Sequence, residues 1–251
     1  NSSSFAVNKL DNAPTGQVII TQDVKFYNNN SSILFKQDNP VTWSANATAI
    51  SFNFTGTEFN LNGGEKICDA VPGTWYKIVL SADVTSKLCF AKVYDAEGTL
   101  LGESDVTAFV NAGATAPVYL CYRTPDNSQG ELDFNNVKMY TPEIDGTKFT
   151  TTVADETISI PEAGESDVTT TLTAKALSTE GYDMIGEATW AFDESVTDTS
   201  SIVITPDTTD SHKATLTVKA GAPAGTLPIK VTIGGVTKTL EVNLTSSQDS
   251  I

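Results

Sequence analysis

Short runs in which apolar and polar residues alternate, each closed by Gly, Pro, Asn or Asp, are what most narrows the folds open to this chain. In "AISFNF" (49–54) and "TWYKIVLS" (74–81) the period is two, which puts the apolar side chains on one face of an extended strand. The 3.6-residue period that a helix needs is almost absent. Strands are expected at 17–20, 24–27, 32–36, 49–54, 57–61, 74–81, 87–94, 98–102, 117–123 and 130–140. Tight turns between them, as around "DVTSKLCFAKVYDAEGT", point to antiparallel hairpins and a jelly-roll sandwich. After "YTPEIDGTKF" aromatics become scarce, Thr rises and the strands shorten. Runs at 157–160, 167–176, 187–193, 201–205, 213–219, 226–233 and 236–244 give seven strands, with Trp190 on a middle one and expected in the core. That is the pattern of an Ig-like sandwich. The fold expected is all-β: a jelly-roll domain over 1–143, then an Ig-like domain over 144–251, joined by a short linker at 141–148 that holds Pro142 and Gly146.

Acidic residues outnumber basic ones by 31 to 15, for a net charge of −16. Nucleic acid and anionic membranes are bound through Lys and Arg, so both are excluded as partners. No apolar run reaches the roughly 18 residues of a membrane span, which excludes insertion. The charge keeps the surface solvated and fits a neutral partner better than a polyanion. Cys68, Cys89 and Cys121 have no zinc-like spacing. They read as small buried residues, and a Cys89–Cys121 bridge between neighbouring strands stays open beside that reading. The one histidine, His212, sits in the turn "TTDSHK", so a His-dependent catalytic device has little to draw on.

Two stretches carry family resemblances. "PGTWYKIVLSADVTSKLCFAKVYDAEGTLL", closed by "LDFNNVKMY", resembles the concanavalin-A-like and laminin-G-like carbohydrate-binding modules of bacteria. "ATWAF…SIVITPD…KATLTVKAGAPAGTLPIKVTIGGVTKTLEVNL" is similar to bacterial Ig-like spacer domains. Together they imply a polysaccharide-handling protein, secreted or attached to the cell surface, that works with other modules of a larger assembly. The resemblance to surface adherence proteins makes starch-type α-glucan the expected ligand. Position 135 is Asn where the resemblance expects Asp, which weakens a calcium site carried over to the closing strand. The sequons at Asn29, Asn30, Asn46, Asn53 and Asn243 are expected to be by-products of Asn/Ser/Thr richness.

The pair Glu131 and Asp133 shares one strand face, as acid and nucleophile do in a glycoside hydrolase. The stretch resembles the E-x-D-x-E run of concanavalin-A-like glucanases, but Asn135 and Asn136 stand where the last acid belongs. An amide can neither donate the proton nor attack, so no enzyme and no catalytic residue are expected, a glycoside hydrolase with carboxylates converging from distant strands staying the lesser alternative. Sugar binding calls instead for aromatic rings against the apolar faces of sugars, with amides and carboxylates for the hydroxyls. In "WYKIVL" parity puts Tyr76, Ile78 and Leu80 inward and Trp75 outward with Lys77. In "VYLCYR" it leaves Tyr119 and Arg123 on the face of Cys121. Trp43, in the Ser/Asn-rich "VTWSAN", reads as exposed, and Tyr27 precedes the polar "NNNSS". Trp75, Trp43, Tyr119, Arg123 and Tyr27 are therefore the candidate carbohydrate site. Each ring is equally at home in a core or at a sandwich edge, and Arg123 in an ion pair with Asp126 or Glu131.

No cofactor is expected. A structural calcium ion is an open alternative, at Asp95, Glu97, Glu103 and Asp105 on neighbouring loops, though hairpin acids are more often simply solvated. The rival to sugar binding is an adhesin or structural surface protein that makes protein–protein contacts. Parity also breaks inside the closing strand. Leu132 and Phe134 are even-numbered, Val137 and Met139 odd, so a β-bulge is expected at Asn135–Asn136 to keep all four inward.

Overall fold

The structure, a computed structural model, describes residues 4–27, 29–37, 47–124 and 131–246. Trp43 and Asp126 lie outside the described residues. The chain divides into two units, Asn1–Pro142 and Glu143–Ile251. No helix among the described residues is long and apolar enough to cross a membrane.

The first unit runs β1 Ser4–Lys9, β2 Gln17–Phe26, β3 Ser31–Lys36, β4 Thr48–Phe54, β5 Glu58–Leu61, β6 Lys66–Asp69, β7 Trp75–Asp83, β8 Leu88–Tyr94, β9 Leu100–Glu103, β10 Thr107–Ala108, β11 Tyr119–Thr124 and β12 Leu132–Tyr140. One sheet has the order β1-β11-β3-β4-β5-β6, and its partner β10-β8-β7-β2-β12 with β9 also on β8. Every pairing is antiparallel. In each sheet of this unit the first and last strands in sequence are neighbours, β1 beside β11 and β2 beside β12, which closes the jelly-roll sandwich.

Alternation sets what lies between the sheets. Val18, Ile20, Val24 and Phe26 of β2 join Tyr76, Ile78, Leu80 and Ala82 of β7 in the core. They meet Ile33, Phe35, Phe52, Phe54, Phe59, Leu120 and Tyr122 from the other sheet. Phe59 stands at the centre of an aromatic group, its ring 5.0–5.6 Å from those of Phe26, Phe52, Phe54 and Tyr76. The Tyr76 hydroxyl accepts from the Val71 amide at 2.8 Å, so the ring is buried without stranding its polar end.

Two expected strands, 17–20 and 24–27, are one. The polar "TQD" between them looked like a turn, but Gln22 faces inward and is buried, its Oε1 accepting from the Tyr122 hydroxyl. The bulge is where parity put it. The β2–β12 register shifts between Asn135 and Lys138, and Asn136 takes φ 52°. Leu132, Val137 and Met139 all pack on the core, and Phe134 stacks on Tyr122 at 4.0 Å.

The thiols are all free and buried. Cys89 points into the core from one sheet, whereas Cys121 faces outward from the other, opposite Leu34. Strands β8 and β11 belong to different sheets, so the bridge considered from the sequence has no neighbouring-strand geometry to form in.

The second unit contains β13 Thr150–Val153, β14 Thr157–Ile160, β15 Val168–Lys175, β16 Ala188–Phe192, β17 Ile202–Pro206, β18 Lys213–Val218, β19 Gly225–Ile233 and β20 Val236–Ser246. Its sheets have the orders β13-β15-β18-β17 and β14-β20-β19-β16, with β14 parallel to β20. This is an Ig-like sandwich whose first strand is split between the two sheets. Trp190 lies on an edge strand and is half-buried, bridging the two apolar clusters of the unit, with Nε1 donating to the Ser211 carbonyl at 2.9 Å.

Candidate functional site

On β2 the sequence "DVKFY" sends Val24 and Phe26 inward, which leaves Asp23, Lys25 and Tyr27 outward. Register then supplies their neighbours. Lys25 lies opposite Trp75 on β7 and opposite Asp133 on β12, giving the row Asp133–Lys25–Trp75. The Lys25 Nζ sits 5.0 Å from the centre of the Trp75 ring and 5.0 Å from that of Tyr27. Asp133 completes the group: its Oδ2 accepts from the Tyr27 hydroxyl at 2.7 Å and pairs with Lys25 Nζ at 3.2 Å. An indole, a phenol, an ammonium and a carboxylate thus share one partly exposed patch. The Tyr27 and Lys25 hydrogen bonds hold the Asp133 carboxyl below the usual carboxylate range. Bonds to Tyr27 and Asp133 raise Lys25 above the ordinary lysine value. Asp133 is therefore ionised at neutral pH. It can accept hydrogen bonds or act as a base or nucleophile, but it is not poised to donate a proton.

The next row along the same face is Asn135–Asp23–Lys77–Tyr94–Leu100. Lys77 lies 5.8 Å from the Tyr94 ring centre, and the Asn136 amide donates to Asp23 at 2.5 Å. Further along the strands the face is closed: Thr21, Val79 and Ser81 are buried although they point away from the core. In the row of Thr21 and Val79 only the edge residues Lys138 and Glu103 stay exposed, so the middle strands are accessible toward their Trp75 end.

The sequence-derived candidates do not form one site. Trp75 and Tyr27 come together on the second sheet. Tyr119 and Arg123 lie on the outer face of the first, beside Cys121, on the opposite side of the sandwich. Lys9 sits 5.6 Å from the Tyr119 ring centre there, and Asn53 donates to Asn60 at 3.0 Å in the same sheet. Lys25 and Asp133 were missed as site residues. Alternation along each strand is enough to place Lys25 on the face of Tyr27 and Asp133 outward, but their meeting depends on β2 pairing with β12 across more than a hundred residues. Glu131, the other half of the acidic pair, is exposed just before β12, and its carbonyl accepts from the Tyr27 amide at 3.4 Å.

The four calcium candidates are dispersed. Asp95 is used by its own hairpin, Oδ1 accepting from the Thr99 amide at 2.7 Å, and Glu97 lies in the turn. Glu103 pairs with Lys92 at 3.1 Å. Glu103 and Asp105 line a cavity of about 330 Å³ with Leu61, Glu65, Lys66 and Thr107. Next to Glu103 the backbone packs closely at Gly102, where a Cβ would lie 2.3 Å from the Ile67 carbonyl oxygen. Among the described residues no three His, Cys, Asp or Glu gather as a metal site.

By sequence the chain matches no family model and no curated protein. Similar solved structures include a sialidase (12% identity, 56% of this chain and 14% of that one, TM-score 0.40). Another is the catalytic domain of a glycoside hydrolase family 131 protein from Coprinopsis cinerea (11%, 52% and 58%, TM-score 0.37). Domains 5-6 of the S-layer protein SbsC are similar over 97% of both chains (13%, TM-score 0.31). The chain spans less than two thirds of the sialidase and of the Coprinopsis domain. At these identities the likeness is one of β-sandwich fold. It nonetheless corrects one expectation, that the chain is not an enzyme: proteins named as a sialidase and a glycoside hydrolase catalytic domain stand among these similar structures. A missing third acid on one strand does not exclude catalysis, since the same sandwich can carry its reactive groups elsewhere.

Proposed function

We propose that the first unit binds carbohydrate through Trp75, Tyr27, Lys25 and Asp133. The observation that carries this reading is the outward group in which two rings flank an ammonium and a carboxylate bonds to both the ammonium and the phenol. Rings cover the apolar faces of a sugar, while Lys25 and Asp133 offer a donor and an acceptor to its hydroxyls. Because the charges are paired, a neutral polysaccharide suits the patch better than an acidic one. Starch-type α-glucan is the first to test, as the family resemblance suggests. The Ig-like unit then acts as a spacer that displays the first unit outside the cell.

Native gels containing soluble starch, xylan or mixed-linkage β-glucan test this. Retarded migration with at least one of them is expected, and Trp75→Ala abolishes it while lowering Tm by only a few degrees, because Trp75 lies outside the core. Unretarded migration in all three favours the surface-adhesin reading. A collapse of Tm in Trp75→Ala marks the residue as structural. Reducing ends measured in the same samples report hydrolysis, and turnover lost in Asp133→Asn assigns it to this face.

A further inference from the structure

Resting on that reading, we infer that the binding face holds a second subsite, formed by Lys77, Tyr94 and Leu100, and that the saccharide runs across the strands rather than along them. Leu100 lies opposite Tyr94, Tyr94 opposite Lys77, Lys77 opposite Asp23, and Asp23 opposite Asn135. The row crosses β9, β8, β7, β2 and β12, four inter-strand gaps of ~4.8 Å or roughly 19 Å in all. That is longer than one sugar ring.

Its chemistry repeats that of the first row. Lys77 sits against Tyr94 as Lys25 sits against Trp75, and Asp23, held by Asn136, supplies the carboxylate as Asp133 does. Leu100 is 45% exposed, which extends the apolar surface beyond Tyr94. Along the middle strands Thr21, Val79 and Ser81 are buried and offer no contact, so a chain longer than one or two sugars extends sideways, toward Tyr94. Trp75 and Lys77 are two residues apart on β7, about 6.8 Å, so one ligand reaches both rows.

Calorimetric titration with malto-, xylo- and cello-oligosaccharides, from disaccharide to hexasaccharide, tests the inference. The wild-type protein binds one series more tightly as the chain lengthens to about the tetrasaccharide. One aromatic contact is worth ~0.5–1.5 kcal/mol. Tyr94→Ala therefore cuts the ratio of tetrasaccharide to disaccharide affinity about two- to twelvefold. Trp75→Ala weakens every length. Lys77→Ser carries the same expectation as Tyr94→Ala should that variant not fold. A ratio unchanged in a folded variant of a binding protein overturns the second subsite and leaves the first reading intact. Wild-type protein that binds no oligosaccharide of any series overturns both.

Discussion

Lys25 limits what its neighbours can do. An ammonium against two ring faces orients both rings and takes up the attraction each offers to a cation. Under the proposed function, a sugar stacked on Trp75 would meet an indole already held in place, which lowers the ordering cost of binding. The thiols show the opposite use of a reactive group. Burial pushes Cys68 up to about 11, Cys89 to about 12 and Cys121 to about 11, so at neutral pH hardly any thiolate exists to react. The Asn62 amide, 3.2 Å from the Cys89 sulfur, opposes that shift but is outweighed by desolvation. Native protein treated with iodoacetamide at mildly alkaline pH should remain unmodified by intact mass, and gain three adducts only after denaturation. Rapid labelling of the folded protein would contradict this burial.

At the scale of strands and turns, the bulge in β12 is the best test of local logic. Asn136 at φ 52° occupies the left-handed region, where Gly and Asn are tolerated and a β-branched residue is not. Asn136→Val should cost about 1–2 kcal/mol in urea unfolding. Asn136→Gly should keep the backbone and lose only the bond to Asp23. Equal losses in both would mean that the side-chain bond, not the backbone, sets the bulge. This feature was legible in the sequence because parity is local: two even and two odd apolar residues cannot share a face without an extra residue between them. The seven strands expected in the Ig-like unit all exist for the same reason, their alternation being clean. The short β6, β10 and β13 were not legible, since two to four residues are too few to show a period and are paired only by their neighbours. The patch itself was half legible, for parity exposed Trp75 and the polar run "NNNSS" pointed to Tyr27, but neither gave a hint that Tyr119 and Arg123 belong to the other sheet. The turns of the second unit carry a further repeat. Asp145, Asp193, Asp198 and Asp207 each accept the amide and the hydroxyl of a Ser or Thr two residues on. Those bonds lower Asp145, Asp198 and Asp207, and at Asp193 the larger cause is Lys230, 2.9 Å away. A carboxyl depressed in the folded state stabilises it above the unfolded value of ~3.9, and the benefit is lost as pH falls through the folded value. Melting temperature of this unit should be flat above about pH 5 and fall below about pH 4. Asp193→Asn should flatten that acid limb, and an unchanged limb would sink the assignment.

For the whole molecule the decisive property is that each unit owns its core. Phe59 and its aromatic neighbours lie wholly within the first unit, and the clusters around Leu216 and Val231 wholly within the second. A substitution that hollows one core should therefore leave the other's stability alone. Phe59→Ala removes a ring that touches four others and cannot be refilled by small shifts, at a cost of about 3–5 kcal/mol. For a unit of this size that is a fall of roughly 10–15 °C. Differential scanning calorimetry of the full chain should resolve two transitions, of which Phe59→Ala moves one and leaves the other in place. Leu216→Ala should move the transition that Phe59→Ala left unchanged, at about 2–5 kcal/mol. If instead both substitutions displace a single transition, the units unfold together. The second unit would then contribute to the stability of the first.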